Sequence, residues 1–467
     1  MKNLPGANAS VEEILERARS LKGRTLYEIL PSDILIDRRN KGSVGNLIEY
    51  YGFGIQNNSF AGPDFVKSDI ELKVLPLKKT SKGLIIKERT KVCSINYKTL
   101  PLETWGFSHA RIKLRSILFI FYIHEQDALE ALIKDYFLFE IGKDEGSLKA
   151  DWEKTVSYVR HGKAHLLSEG LTNYLAPSRS GSGGLDKEGN PKDLVPQYND
   201  VEPLALKRAF SLKPHYTTSI FQERVLKKVF TPLSEIKFVG TEDDVVPFII
   251  KKINGFEGIE LKEFARLHGL SLKMGKAKSA QLVRTALGLV GSHENVLEFS
   301  RLGIKFKTAP VHPITMTPYE AMSFPVVPFI QVVEENFWDS DLVDQVNNII
   351  VIPLLREFRE TRGEDERIGK AAFLNLNDVE LELVRDDYER YREFFTQLDE
   401  KVQSNGAVGA LKYWEDNFIR STQTKIVHMR PHTTKGNYDN TLGELQKVKH
   451  SFWFNKSFIR DRLREQR

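Results

Sequence analysis

Between Gly62 and Lys78 the chain reads GPDFVKSDIELKVLPLK. Asp64 is followed, after six intervening residues, by Glu71, Leu72 and Lys73. Two carboxylates can share a divalent cation through hard oxygen ligands, and such a cation polarises a phosphate and acidifies a bound water. A lysine beside them can orient that water or offset charge developing on the phosphate. The set suits metal-assisted phosphodiester hydrolysis, and Asp…Glu-x-Lys is the arrangement of Mg2+-dependent nucleases. Alone the pattern is weak, because an exposed strand edge carries the same residue types for solubility.

The elements around it decide how much weight it bears. Ile70, Leu72, Val74 and Leu77 put apolar residues among polar ones, which predicts a strand. On a strand Glu71 and Lys73 leave the same face. Ser10 caps a helix over VEEILERARSL, with acidic residues in its first turn. NKGSVGNLIEYYGFG predicts another, with Val44, Leu47 and Ile48 at helical spacing and Gly52 as its stop. Glu49 lies beside that apolar stripe, either as a solvated glutamate or as a third carboxylate delivered to Asp64 and Glu71. HARIKLRSILFIFYIHE is a basic approach to a buried strand over 117–123, with Lys113 just before it. Further strands are expected within GLIIKERTKVCSINY and YFLFEI, and a helix over ADWEKTVSYVRHG. SRSGSGGLDKEGNPK at 178–192 is a loop without the GK[ST] of a phosphate loop, and RAFSLKPHYTTSIFQERVLKK is a basic turn leading into a helix.

The bulk numbers narrow the class. A chain of 467 residues with 41% apolar residues should form two domains or more. No run long enough to span a bilayer is present, the N-terminus lacks a signal core, and the single Cys93 fits a reducing cytoplasm. Cys93, in the alternating VCSINY, reads as a buried strand thiol, and His109 and His124 lack partners at zinc spacing. A net charge of +5 permits a nucleic-acid partner without demanding one.

Beyond a linker at 232–245 the chain repeats itself in order. GIELKEFARLHGL echoes GRTLYEILPSDIL, and KAKSAQLVRTALG echoes KGSVGNLIEYYGFG. FSRLGIKFKTAP echoes VKSDIELKVLP, VDQVNNIIVIPLL echoes RIKLRSILFIFYI, and HSFWFNKSFIRDRL echoes RAFSLKPHYTTSIF. A duplicated domain follows. Aligned this way Glu49 corresponds to Arg284, Glu71 to Lys305, Lys113 to Gln345 and Lys73 to Lys307, while Asp64 falls near Glu298. Exchanging two carboxylates for cations destroys a metal site and is expected to favour phosphate contact. The stretch Arg420–Arg467 agrees, with 11 Lys and Arg against 4 Asp and Glu.

KGSVGNLIE, PDFVKSDIELK, IKLRSILF and RAFSLKPHY together resemble the MutH-type endonucleases, and the two-copy layout resembles the Sau-type restriction enzymes that cut at GATC. The resemblance implies an α/β fold with mixed sheets: two tandem restriction-endonuclease-like domains, a catalytic one at 1–231 and a degenerate one at 246–467. It implies Asp64 and Glu71 as Mg2+ ligands, Glu49 assisting them, Lys73 orienting the attacking water and Lys113 facing the scissile phosphate. Hydrolysis of double-stranded DNA leaving 5′-phosphates follows from it, as does a DNA contact by Lys41. Where the family has a tyrosine before its lysines, this chain has Ser211 in FSLKP, beside Lys213. The family's Arg-Pro recognition loop appears as Arg430-Pro431 in HMRPHTTKG, with Lys435 close by, and in the first half only Pro177 or Arg179 can align. The expected DNA-contacting set is therefore Lys41, Arg179, Ser211, Lys213, Lys307, Arg430 and Lys435.

The leading expectation is a type II restriction endonuclease acting at a short palindromic site, GATC. Its second domain would hold a second DNA copy as an effector, and a homodimer on the DNA remains open. A strand-specific nickase of mismatch repair shares the chemistry but is a single small domain. A non-catalytic DNA-binding protein would leave Glu49, Asp64, Glu71, Lys73 and Lys113 with structural roles only.

Overall fold

The structure, a computed structural model, describes residues 4–31, 43–56, 62–80, 83–125, 127–181, 192–271, 276–360, 365–432 and 440–466. Lys41, Lys435 and most of the Gly/Ser-rich loop lie outside them. The chain packs as two compact units, Met1–Pro232 with Ser300–Gly303, and Leu233–Phe299 with Ile304–Arg467. Among the described residues no helix is long and apolar enough to cross a membrane.

The first unit is built on strands β1 (Glu71–Thr80), β2 (Gly83–Ile86), β3 (Thr90–Ser94), β4 (Ser116–Ile123), β5 (Leu132–Glu140), β6 (Leu175–Arg179) and β7 (Arg208–Leu212). One sheet runs β2-β1-β4-β5, with β1 and β4 parallel and the outer pairs antiparallel; the other runs β3-β7-β6. A parallel pair needs a crossover, and this one contains helix α3 (His109–Leu114). β4 is buried along its whole length, which its unbroken apolar run requires. Helix α1 (Val11–Leu21) starts in a capping box, the Glu13 N–H donating to Ser10 Oγ at 3.3 Å and the Ser10 N–H to Glu13 Oε2 at 2.7 Å. It buries Ile14, Ala18 and Leu21 against Val44, Ile48, Phe53, Leu72 and Leu118.

Two local readings of the sequence are corrected here. Helix α2 (Ser43–Leu47) does not stop at Gly52: it widens into a π-turn over Ile48–Phe53 and ends at Gly54, whose φ of 75° suits glycine. RAFSL, expected as a turn, is the buried central strand β7, followed by helix α5 (Pro214–Ile220); helix α4 spans Glu145–Arg160.

The second unit repeats the plan. Residues 233–245 belong to it, and helix α6 begins at Glu242 and ends at Asn254. It contains helix α7 (Lys276–Leu287) and strands β8 (Lys305–Val311), β9 (Met322–Val326) and β10 (Ile349–Leu355). β8 pairs parallel with β10 from Lys305↔Ile349, as β1 pairs with β4 from Glu71↔Ile117. Strands β11 (Arg367–Ile368) and β12 (Ala372–Leu374) add antiparallel to β10, the place β5 takes on β4. β9, β14 (His450–Phe454) and β13 (Val427–Pro431) form a three-stranded sheet in the order β9-β14-β13, matching β3-β7-β6.

A buried aspartate marks the repeat most specifically. On α4, Asp151 accepts from the backbone N–H groups of Asn173, Tyr174 and Leu175 at 2.8, 2.7 and 2.9 Å. On helix α8 (Asp378–Asn417), Asp387 accepts from those of Lys425, Ile426 and Val427 at 2.9, 2.7 and 2.9 Å. In each copy a helix carboxylate thus satisfies the N–H groups leading into the same strand, which would otherwise be buried unpaired.

Candidate active site

The six-residue spacing between Asp64 and Glu71 is a folded turn. Phe65 and Ile70 exchange backbone bonds, Phe65 N–H to Ile70 O at 2.9 Å and Ile70 N–H to Phe65 O at 3.3 Å. Asp69 sits left-handed at the corner with φ 55°, a conformation aspartate tolerates. Asp64 is folded back beside the start of β1, where its Oδ2 accepts from the Leu72 N–H at 2.9 Å.

Glu71 opens β1 and is 1% exposed. Its Oε1 accepts from Lys73 Nζ at 2.6 Å and from Lys113 Nζ at 3.0 Å. The same-face relation of Glu71 and Lys73 is that of a strand, whereas Lys113 arrives from the last turn of α3. Ser108 Oγ caps that helix by accepting from the Arg111 N–H at 3.1 Å, and Arg111 Nε anchors it to Glu145 Oε1 at 2.7 Å. Six residues with a basic face gave no apolar period to read, so the sequence showed Lys113 without its helix.

Glu49 joins this group from the π-turn. Burial pushes its carboxyl up to about 7; Lys73 and Lys113 pull it down, Asp64 and Glu71 push it further up. Asp64 is also raised, by burial first and then by Glu71, against the Leu72 N–H and the two lysines. The structure therefore brings Glu49, Asp64, Glu71, Lys73 and Lys113 into one electrostatic group. Burial also pushes the nearby Cys93 thiol up to about 12, with Glu103 adding to it, so the thiol is protonated and no nucleophile.

Glu71 Oε2 tests whether this group fits a metal ion. It is buried and, among the described residues, has no hydrogen-bond partner. A buried carboxylate oxygen without a donor is costly unless a cation meets it. Three carboxylates, two of them raised by burial and by neighbouring carboxylates, are the donor type that a hard divalent cation takes. Among the described residues no three His, Cys, Asp or Glu side chains are grouped so as to hold a metal ion, so the fit is one of donor chemistry alone.

The second domain keeps a lysine, Lys307, at the place of Lys73 and differs at the other equivalent positions. Lys305, at the place of Glu71, donates its Nζ to the Asp344 and Asn347 carbonyls at 2.7 and 2.8 Å. Lys307 Nζ donates to the Ser323 carbonyl and lies 5.2 Å from the Phe324 ring centre. Arg284 is exposed on α7, and Glu298 Oε2 accepts from the Leu233 N–H at 2.9 Å. Both lysines are engaged by backbone carbonyls.

The other expected DNA contacts fall into three groups. Ser211 and Lys213 are buried, at 3% and 8% exposure. Ser211 Oγ pairs with Ser178 Oγ at 2.6 Å, and Lys213 Nζ donates to the Thr172 carbonyl. Their polar ends are engaged within the domain by these bonds. Arg179 is half-buried at the end of β6, opposite Arg208. Arg430 is exposed on β13 with its guanidinium 3.8 Å from the centre of the Trp453 ring. Helix α9 (Lys456–Glu465) begins beside it, and Arg430, Lys456, His428 and Ser457 line one pocket. Burial, then Arg359 and Arg430, push the Lys456 ammonium down against a weaker opposing pull from Glu320.

A mixed-sheet scaffold present twice, with acids and lysines gathered at the head of one strand, defines a tandem restriction-endonuclease-like protein. The family model for the DNA mismatch repair enzyme MutH matches residues 53–151 and again 290–387. The type II restriction enzyme Sau3AI of Staphylococcus aureus is 26% identical over 97% of this chain and 98% of its own. MutH of Vibrio cholerae is 30% identical over 46% of this chain and 97% of that protein, and MutH of Vibrio vulnificus 30% over 48% and 96%. The chain belongs to the MutH family. It is an enzyme, a DNA endonuclease of the restriction type.

Proposed function

We propose that the first domain cuts both strands of duplex DNA at GATC in a Mg2+-dependent reaction leaving 5′-phosphates. The second domain holds a further DNA copy as an effector. The observation that carries the reading is the buried Glu71 carboxylate, bound by Lys73 and Lys113 through one oxygen while its other oxygen has no described partner. Full-length similarity to a type II restriction enzyme supports the two-domain form over a single-domain nickase.

Asp64, Glu71 and Glu49 would hold the ion, which when bound polarises the phosphate and acidifies water. The Leu72 N–H keeps Asp64 turned toward the cluster. Lys73, bonded to Glu71 Oε1, orients the attacking water and stabilises the hydroxide form through its ammonium. Lys113 places a second ammonium at the same oxygen, where it can exchange onto a phosphate oxygen as charge develops. The water's proton passes to solvent or to a phosphate oxygen.

For the second domain the support is Arg430 racked on Trp453, beside Lys456 at the start of a ten-residue helix. Such a group offers phosphate oxygens a guanidinium, an ammonium and helix N–H groups. A cytoplasmic location fits a DNA-cutting protein with the single cysteine Cys93.

A plasmid digest in Mg2+ tests the reading, with unmethylated and methylated GATC-containing DNA and the Glu71→Ala protein in parallel. Discrete double-strand fragments ending at GATC from the wild type alone are expected. Fragments mapping elsewhere reject the site, nicked circles alone reject double-strand cutting, and equal cutting by Glu71→Ala rejects the cluster.

A further inference from the structure

Arg17, on α1, makes contacts that packing of the helix does not require. Its Nε donates to the Gly52 carbonyl at 2.6 Å and its Nη2 to the Tyr51 carbonyl at 3.3 Å. Both carbonyls belong to the last turn of Ile48–Phe53, where helix geometry leaves acceptors unpaired. The rest of that end is closed by its own backbone: the Gly54 N–H donates to Tyr50 O at 2.9 Å and the Ile55 N–H to Glu49 O at 3.0 Å. The guanidinium thus completes the bonding of the turn that carries Glu49.

Three features argue that this is a support for geometry. The contact joins residues 35 positions apart, so it ties α1 to the turn rather than decorating one element. The turn is a π-turn, a rare winding that recurs at functional sites. One turn further along α1 the packing against the turn is close as well, since a Cβ on Gly52 would come within 3.2 Å of Leu21 Cδ1. A charged group set on two neutral carbonyls in a half-buried place fixes position; it neutralises no charge there.

We propose that Arg17 is a positioning residue for Glu49, holding the π-turn so that the carboxylate stays with Asp64 and Glu71. This rests on the reading of that cluster as the hydrolytic centre. In this role the guanidinium acts through the turn, by its bonds to the Gly52 and Tyr51 carbonyls.

The test is a double-mutant cycle in the full-length protein, using Arg17→Ala, Glu49→Ala and the double variant, with Arg17→Lys as a conservative partner. Cleavage of a duplex that the wild type cuts is followed in Mg2+, with thermal denaturation and circular dichroism as checks on folding. Arg17→Ala is expected to lower kcat by on the order of tenfold to a hundredfold with KM unchanged, the scale of a small misplacement of a reacting group. Arg17→Lys, which can keep one carbonyl bond, recovers part of the loss. On the Glu49→Ala background the Arg17 change should cost nothing further, because both act through one carboxylate. Wild-type kcat in a folded Arg17→Ala protein overturns the proposal, as does a penalty that multiplies in full on Glu49→Ala. If Arg17→Ala does not fold, the same non-additivity is required of Arg17→Lys. A Glu71→Ala control that cuts like the wild type rejects the cluster itself, a failure distinct from that of Arg17.

Discussion

The two strands that open the central sheets share a register and carry opposite charges at their first residue. In the first domain Glu71 is a buried carboxylate held by two ammonium groups; in the second Lys305 is an ammonium held by two carbonyls. The scaffold is the same down to the aspartate that ties helix to strand. The acid cluster and the lysine therefore solve one local problem, a charged group at a strand head beside a helix end, in two ways. One solution leaves an oxygen in need of a cation, and the other closes on itself. Function resides in that site and not in the fold.

The comparison breaks most sharply at Glu71. Glu71→Ala should lower cleavage on the order of a thousandfold or more while DNA binding persists, read by single-turnover cleavage and a gel-shift titration. Lys73→Met and Lys113→Met should each cost about a hundredfold, since each removes one positioned ammonium. An activity that survives both changes would mean that the lysines serve only to neutralise Glu71.

The pH dependence sharpens the contrast, because the raised carboxyls lie in the first domain's cluster. Glu49 must be ionised to serve, and burial holds it near 7, so the cleavage rate should rise about tenfold per unit below that pH and level off above it. More Mg2+ should move this limb to lower pH, because the ion and the proton compete. The stability of the metal-free protein follows the opposite sign. A carboxyl raised from 4.5 to about 7 favours the folded state at low pH, and that contribution is lost as the pH rises through this window. Glu49→Gln should flatten both profiles.

The smallest effect on activity is expected at Lys305. Lys305→Met should leave cleavage by the first domain unchanged. It should destabilise the second domain by about 1–3 kcal/mol, because two carbonyls lose a donor; thermal denaturation measures it.

The strand 71–80 and its acid–lysine pair were legible because period-two alternation puts Glu71 and Lys73 on one face. The duplication was legible because the echoes keep their order. Other features were hidden for physical reasons. Helix 109–114 is too short and basic to show a period, and β7 is flanked by the Arg and Lys residues that mark a turn. The acceptors of a lysine ammonium depend on which carbonyls the fold brings near, so the carbonyl bonds of Lys305, Lys307 and Lys213 had no sequence signal. Asp151 and Asp387 left a faint signal: each precedes an aromatic residue on the buried face of its helix, Trp152 and Tyr388, where a solvated aspartate would be out of place. Arg17 left none, since its partners are backbone atoms.

The most direct measurement compares Mg2+-dependent cleavage by two full-length variants, Glu71→Ala and Lys305→Ala, on the same duplex, with binding measured alongside. Loss of cutting in the first, with binding kept, and near-normal cutting in the second is the predicted result. Cutting that survives Glu71→Ala, or that fails in a folded Lys305→Ala protein, would contradict the assignment of hydrolysis to the first domain alone.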